Sequence, residues 1–255
     1  MKKQKVLVVA NWKMNPETPE EAKMIFAAEC RAAKKTTNVE LVVCPPALYI
    51  GCLRKPTGGN ISFGVQDVFW APVGPYVGEI SPVMAHNSSV RYAVIGHSER
   101  RSLGETDEVV SKKAAAAVRA GLSAIVCIGE RERDAGGTYF SFLKNQLQLS
   151  LGALRPRDLS SLIIAYEPIW AVGKSFKDAM KPSDVYGTSL FIKKVLSDMF
   201  GKEYALRTPI LYGGSVDFEN AGPILCEGKV AGLLVGRQSL DLENFPKLLS
   251  VINEF

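Results

Sequence analysis

The sequence predicts a (β/α)8 barrel, eight parallel strands closed into a ring with helices outside, in one domain over residues 1–255. Three observations carry this expectation. Eight short apolar runs recur along the whole chain. They are continuous and not alternating, as strands buried on both faces should be. Amphipathic helical stretches lie between most of them, and 255 residues is the usual size for eight such units. A doubly wound open sheet is the alternative, but no GxGxxG follows the first run.

Taken in order, the first run is VLVVANW (6–12). PEEAKMIFAAECRAAKK then opens after Thr18, a residue suited to cap a helix N-terminus. VELVVCP (39–45), ISFGVQDV (61–68) and YAVIGH (92–97) supply the next three strands. A short helix is expected after YAVIGH, with Ser98 or Ser102 as its cap. DEVVSKKAAAAVRAG follows and stops at Gly121, since glycine readily takes the left-handed conformation that ends a helix. SAIVCIG (123–129) and LIIAYEP (162–168) come next. SDVYGTSLFIKKVLSDMFG is a long helix closed by Gly201, and TPILYGG (208–214) and GLLVG (232–236) complete the set. No Pro/Gly/Ser-rich stretch resembles a linker.

Composition narrows the function. The chain is 47% hydrophobic and 22% charged, with a net charge of +5, values ordinary for a soluble protein. No Lys/Arg block marks a nucleic-acid surface, and a mild positive excess suits either a solvated face or the steering of a small anion. No apolar run approaches the roughly 18 residues that span a bilayer. The N-terminal run Val6–Ala10 is too short for a secretory leader. The five cysteines show no CxxC spacing, which suggests reduced thiols and a cytoplasmic setting. With only His86 and His97 present, a histidine-rich metal site is not expected.

In such a barrel, chemistry is done by residues at the C-terminal ends of the strands. Glu167 ends an apolar run, and Pro168 and Trp170 would keep water from one side of it. It is either a loop residue with local hydrogen bonds or a general base whose pKa desolvation raises. His97 is either structural or, at a helix N-terminus, held neutral by the positive potential there. Lys13 either snorkels to the rim or serves an anion, and Asn11, two residues earlier, should share its strand face. The glycines of YGGSVD (212–217) and VGRQSL (235–240) end the last two strands, where backbone can approach a phosphate closely.

NWKMN (11–15), GHSERR (96–101), CIGE (127–130), AYEPIWAVG (165–173) and YGGSV (212–216) together resemble the triosephosphate isomerase family, in that family's order, from about residue 6 to 252. The resemblance implies the interconversion of dihydroxyacetone phosphate and glyceraldehyde 3-phosphate, without metal or organic cofactor. It implies that Glu167 is the base, His97 a neutral proton donor to the carbonyl, Lys13 a positive charge for the substrate, and Asn11 a hydrogen-bond donor to the oxyanion. Glu99 would pair with Lys13, and Ser98 would contact Glu167 while a lid is open. Gly173, Ser215, Gly236 and Arg237 would offer backbone N–H groups to the phosphate. Pro168 and Trp170 would form the stiff hinge of that lid. A homodimer through loop 72–81 is implied as well.

Three departures from the family pattern stand out. Gly173 is followed by KSFKDAMKP, so the second lid hinge has no register and is expected near Asp178–Met180. Val77 stands where the family commonly has threonine, and Arg237 where it has a second glycine. The Arg237 guanidinium is expected to lie along the rim, toward solvent or toward Asp217 or Glu219. Two other readings are another phosphate-binding barrel enzyme, such as a pentose-phosphate epimerase or a tryptophan-pathway enzyme, and a non-catalytic binding protein. The first would share the phosphate loops but not GHSERR with AYEP. The second would be favoured by the loss of a catalytic side chain, and none is lost.

Overall fold

A computed structural model describes residues 5–53, 60–134, 136–171 and 180–255. The eight apolar runs form eight parallel strands: β1 (Val6–Asn11), β2 (Val39–Cys44), β3 (Ile61–Val65), β4 (Val90–Ile95), β5 (Ser123–Ile128), β6 (Leu162–Tyr166), β7 (Ile210–Tyr212) and β8 (Gly232–Val235). They pair in sequence order, and β1 also pairs with β8, which closes the ring. Helices α1 (Pro19–Ala33), α2 (Ala47–Ile50), α3 (Pro82–Asn87), α4 (Ser98–Ser102), α5 (Asp107–Arg119), α6 (Thr138–Ser150), α7 (Pro182–Phe200), α8 (Lys202–Arg207), α9 (Ala221–Cys226) and α10 (Asn244–Ile252) occupy the connections.

Local chemistry explains the helix boundaries. The Thr18 hydroxyl accepts the Glu21 N–H and caps α1. Helix α5 ends at Ala120, and Gly121 takes over at φ +86°, where a side chain would be strained. Gly201 separates α7 from α8 at φ +94°. The cap of α4 is neither Ser98 nor Ser102, which are the first and last residues of that helix. It is His97, whose imidazole accepts the Glu99 N–H. An sp² ring nitrogen held at the strand exit reaches an orphan helix N–H as well as a hydroxyl does.

Strand alternation divides the core in two. Val8, Ala10, Leu41, Val43, Ala124, Val126 and Ile164 pack outward against helix residues such as Ala22, Ile25 and Leu143. Val9, Val42, Val94, Ile125, Cys127, Ile163, Ala165, Leu211 and Leu234 form a separate cluster made of strand residues alone, the filling of the barrel. Continued by two residues, five of these strands bring Asn11, Gly129, Glu167, Gly213 and Gly236 to the strand exits. These five positions hold two polar side chains and three glycines. Above the filled barrel, the glycines leave room for the side chains of Glu167 and Lys13.

Candidate active site

Glu167 enters this pocket because it keeps the inward phase of Ile163 and Ala165. Its N–H donates to the Ile128 carbonyl at 2.8 Å, which extends the β5–β6 ladder one step past the strand end. The glycines around it are required by space. A Cβ on Gly129 would lie 1.8 Å from the Glu167 carbonyl oxygen, and one on Gly213 would lie 2.8 Å from Glu167 Cγ. The side chain is only 3% exposed. Gly129 and Gly213 were not singled out by sequence reasoning as a cradle for the carboxylate. Their signal was present in the strand phase, two residues beyond Cys127 and Leu211.

Glu167 Oε1 lies 3.0 Å from Nε2 of His97, and Oε2 accepts the Ser98 backbone N–H at 3.2 Å. Both side chains are buried, so burial acts strongly on each and the other's charge acts against it. Burial alone would raise the Glu167 carboxyl, but His97 beside it, the Ser98 N–H and Lys13 together hold it below its usual value. Burial alone would lower His97, but the Glu167 carboxylate outweighs it and the imidazole is raised. The expected directions, Glu167 up and His97 down, are therefore reversed in this arrangement. The sequence identified the desolvation but not that the two groups face each other across 3.0 Å. The Glu99 N–H points at His97 Nδ1 from 3.2 Å, so that nitrogen is an acceptor and the neutral ring carries its proton on Nε2.

Asn11 and Lys13 meet differently from the simple strand alternation expected. β1 ends at Asn11, and Lys13 takes a left-handed φ of +57°. Its N–H donates to Asn11 Oδ1 at 3.0 Å, and Gln66 Nε2 donates to its carbonyl at 2.7 Å. The turn directs the ammonium to Glu99, with Nζ and Oε1 2.5 Å apart. Lys13 also passes close over Gly236, where a Cβ would lie 3.2 Å from Lys13 Cε. Glu99 links the two sides of the site, since its Oε1 meets Lys13 Nζ while its Oε2 lies 4.0 Å from His97 Nδ1, whose ring contacts Glu167.

Of the four groups expected at the phosphate, Gly173 lies outside the described residues, as does the lid segment 174–179. Ser215 Oγ donates to the Ala171 carbonyl at 2.8 Å and so ties the β7 loop to the lid's first hinge. Gly236 precedes a 3-10 turn, Arg237–Leu240. The Arg237 side chain is exposed and, among the described residues, forms no ion pair with Asp217 or Glu219. Asp217 instead accepts the N–H groups of Glu219 and Asn220.

The sequence did not assign a role to Glu130, which is buried behind the pocket. It accepts the Tyr166 hydroxyl at 2.8 Å and the Trp170 indole N–H at 2.9 Å, with Arg133 3.7 Å away. The hinge tryptophan is thus fixed to the β5 loop by a directional contact.

Loop 72–81 stands away from the barrel. Val77 is fully exposed, Val73 is largely uncovered and Tyr76 and Trp70 are partly so, with exposed Met14, Leu48 and Met84 also on the surface. Phe69 stacks on Trp70 at 3.9 Å and contacts Tyr76 at 4.4 Å, so the loop is packed against itself. No described helix is long and apolar enough to cross a membrane.

A family model for triosephosphate isomerase matches residues 6–252. The chain is 38% identical over 243 residues to the protein named triosephosphate isomerase of Dehalococcoides mccartyi, covering 94% of each. It is 39% identical over 248 residues to that of Thermoanaerobacter pseudethanolicus, covering 96% of this chain and 98% of the relative. The Moorella thermoacetica protein of the same name is 40% identical over 248 residues, 96% and 97% of the two chains.

Proposed function

Because the chain belongs to the triosephosphate isomerase family, we propose that it interconverts dihydroxyacetone phosphate and D-glyceraldehyde 3-phosphate through an enediolate. The observation that carries this reading is the Glu167–His97 pair at 3.0 Å, with Lys13 and Asn11 in the same pocket. In direct contact at 3.0 Å, the carboxylate and the imidazole can part around a small molecule, one turning to carbon and one to oxygen.

Glu167 takes a proton from the carbon next to the carbonyl, and the electron pair moves onto the carbonyl oxygen. His97 Nε2–H donates to that oxygen, because Nδ1 is occupied by the Glu99 N–H. Once substrate separates the pair and the Glu167 charge is drawn to carbon, burial and Lys13 remain as the influences that lower the imidazole. The ring then works as a neutral donor, as the handling of an enediolate requires. The Lys13 ammonium and the Asn11 amide offset the oxyanion. Glu167 then returns the proton to the neighbouring carbon. Ser215, Gly236 and Arg237 surround the phosphate, and exclusion of water protects the intermediate.

The reaction belongs to glycolysis and gluconeogenesis, and the five free cysteines suit a cytoplasmic enzyme. The exposed apolar side chains of loop 72–81, Val73, Tyr76 and Val77, support a homodimer that would cover them. A coupled isomerase assay with chelator present tests the reading. Wild type should turn over, and Glu167→Gln should lose about 10²–10⁴-fold. An inactive but folded wild type would refute it.

A further inference from the structure

Helix α1 buries one face made of Ala22, Ile25, Phe26, Glu29 and Ala33. Four of these are apolar, and the fifth is a carboxyl only 2% exposed. Glu29 Oε1 accepts the Trp12 indole N–H at 2.9 Å, while Oε2 is buried and has no partner among the described residues. Burial holds the group well above the usual carboxylate range. An apolar residue here would pack without that desolvation cost. The one thing it could not do is hold the indole.

Trp12 is fully buried between Asn11 and Lys13. Its N–H donates to the Cys44 carbonyl at 3.2 Å, and its own carbonyl accepts Asn15 Nδ2 at 3.3 Å. Lys13 follows in a left-handed conformation, which persists only where its surroundings enforce it. Gln66 restrains its carbonyl and Asn11 its N–H. The Trp12 side chain has one directional anchor, Glu29.

We infer that Glu29 is a positioning residue for the Lys13 ammonium, acting through the Trp12 indole. The inference rests on the isomerase reading above. The acceptor is what matters, not the charge, so Glu29→Gln keeps the function and Glu29→Leu removes it at similar volume.

The test is steady-state kinetics of the full chain with dihydroxyacetone phosphate, beside thermal melting. Because Lys13 contacts substrate in ground and transition states alike, Glu29→Leu should raise KM about tenfold with a smaller fall in kcat. Glu29→Gln should stay within about twofold of wild type, and Trp12→Phe, which removes the donor instead, should reproduce the KM rise. The double variant Glu29→Leu/Trp12→Phe should be no worse than the worse single one. A purely structural role would shift the melting temperature and leave KM alone. A KM within about twofold of wild type in folded Glu29→Leu or in Trp12→Phe overturns the inference, as does Glu29→Gln behaving like Glu29→Leu. An inactive wild type would defeat the isomerase reading itself, and this one with it.

Discussion

A single methyl group on Gly213 should slow the reaction without unfolding the barrel. The added Cβ would lie 2.8 Å from Glu167 Cγ, 3.5 Å from Oε1 and 3.5 Å from Leu234 Cδ2. Carbon atoms rest at about 3.5–4.0 Å, so Cγ has to retreat by roughly 0.7–1.2 Å. The backbone cannot supply that movement. Glu167 N–H is held by Ile128, and the Gly213 N–H by the Tyr166 carbonyl at 2.8 Å. The displacement therefore passes into the Glu167 side-chain torsions and moves the carboxylate. Misplacing a reacting group by about 1 Å costs on the order of 10²-fold. Overpacking of this size costs about 1–3 kcal/mol in stability, which leaves most proteins folded. Gly213→Ala should thus melt a few degrees lower, keep KM near wild type and lose about 10–100-fold in kcat, read by the coupled isomerase assay. Gly129→Ala is the contrast. Its Cβ would meet the Glu167 carbonyl oxygen at 1.8 Å, backbone against backbone, and the variant should fail to fold. A Gly213→Ala enzyme with kcat within about twofold of wild type would refute the cradle.

Glu167→Gln should bring His97 from above its ordinary value of 6.5 to below it, since burial, the largest influence, and Lys13 then act against Glu99 alone; nitrogen NMR would show this, and an unchanged titration would refute the pairing. The raised His97 contributes stability that is present below 6.5 and lost as pH rises through its folded value, while the lowered Glu167 contributes above 4.5 and loses it as pH falls, so the melting advantage of wild type over Glu167→Gln should shrink toward alkaline pH. Val77→Asp should weaken self-association about 10²-fold or more, because a buried unpaired charge costs several kcal/mol, and an unchanged dimer in sedimentation would clear loop 72–81 of that role. Arg237→Ala should change KM only about twofold, and a rise of about tenfold with kcat intact would show the guanidinium gripping phosphate.

The barrel was legible because strands buried on both faces spell themselves as continuous apolar runs. Glu167, His97, Lys13 and Asn11 were legible because polar residues at the ends of such runs are conspicuous. The pairing distance was not. Residues 97 and 167 belong to β-strand exits two strands apart, and nothing local to either says that they touch. That missing contact reversed both ionisation shifts. Glu29 escaped for another reason. In the sequence it is one acid among several in an amphipathic helix, and only the phase of α1 against β1 turns it inward. The cap of α4 escaped because histidine is not the residue type that capping rules favour, although its geometry serves.

The closure of β1 on β8 also fixes an order of events during synthesis. Among the barrel strands Val6–Asn11 is made first, yet its second strand partner, Gly232–Val235, is made last. While the strands from β2 to β7 are made, one edge of β1 is an unpaired, apolar, parallel-type edge, the kind of surface that recruits other chains. The last strand is therefore more than an eighth repeat. It seals the nascent chain against aggregation, and a ribosome that stalls before residue 232 releases a protein with both sheet edges open.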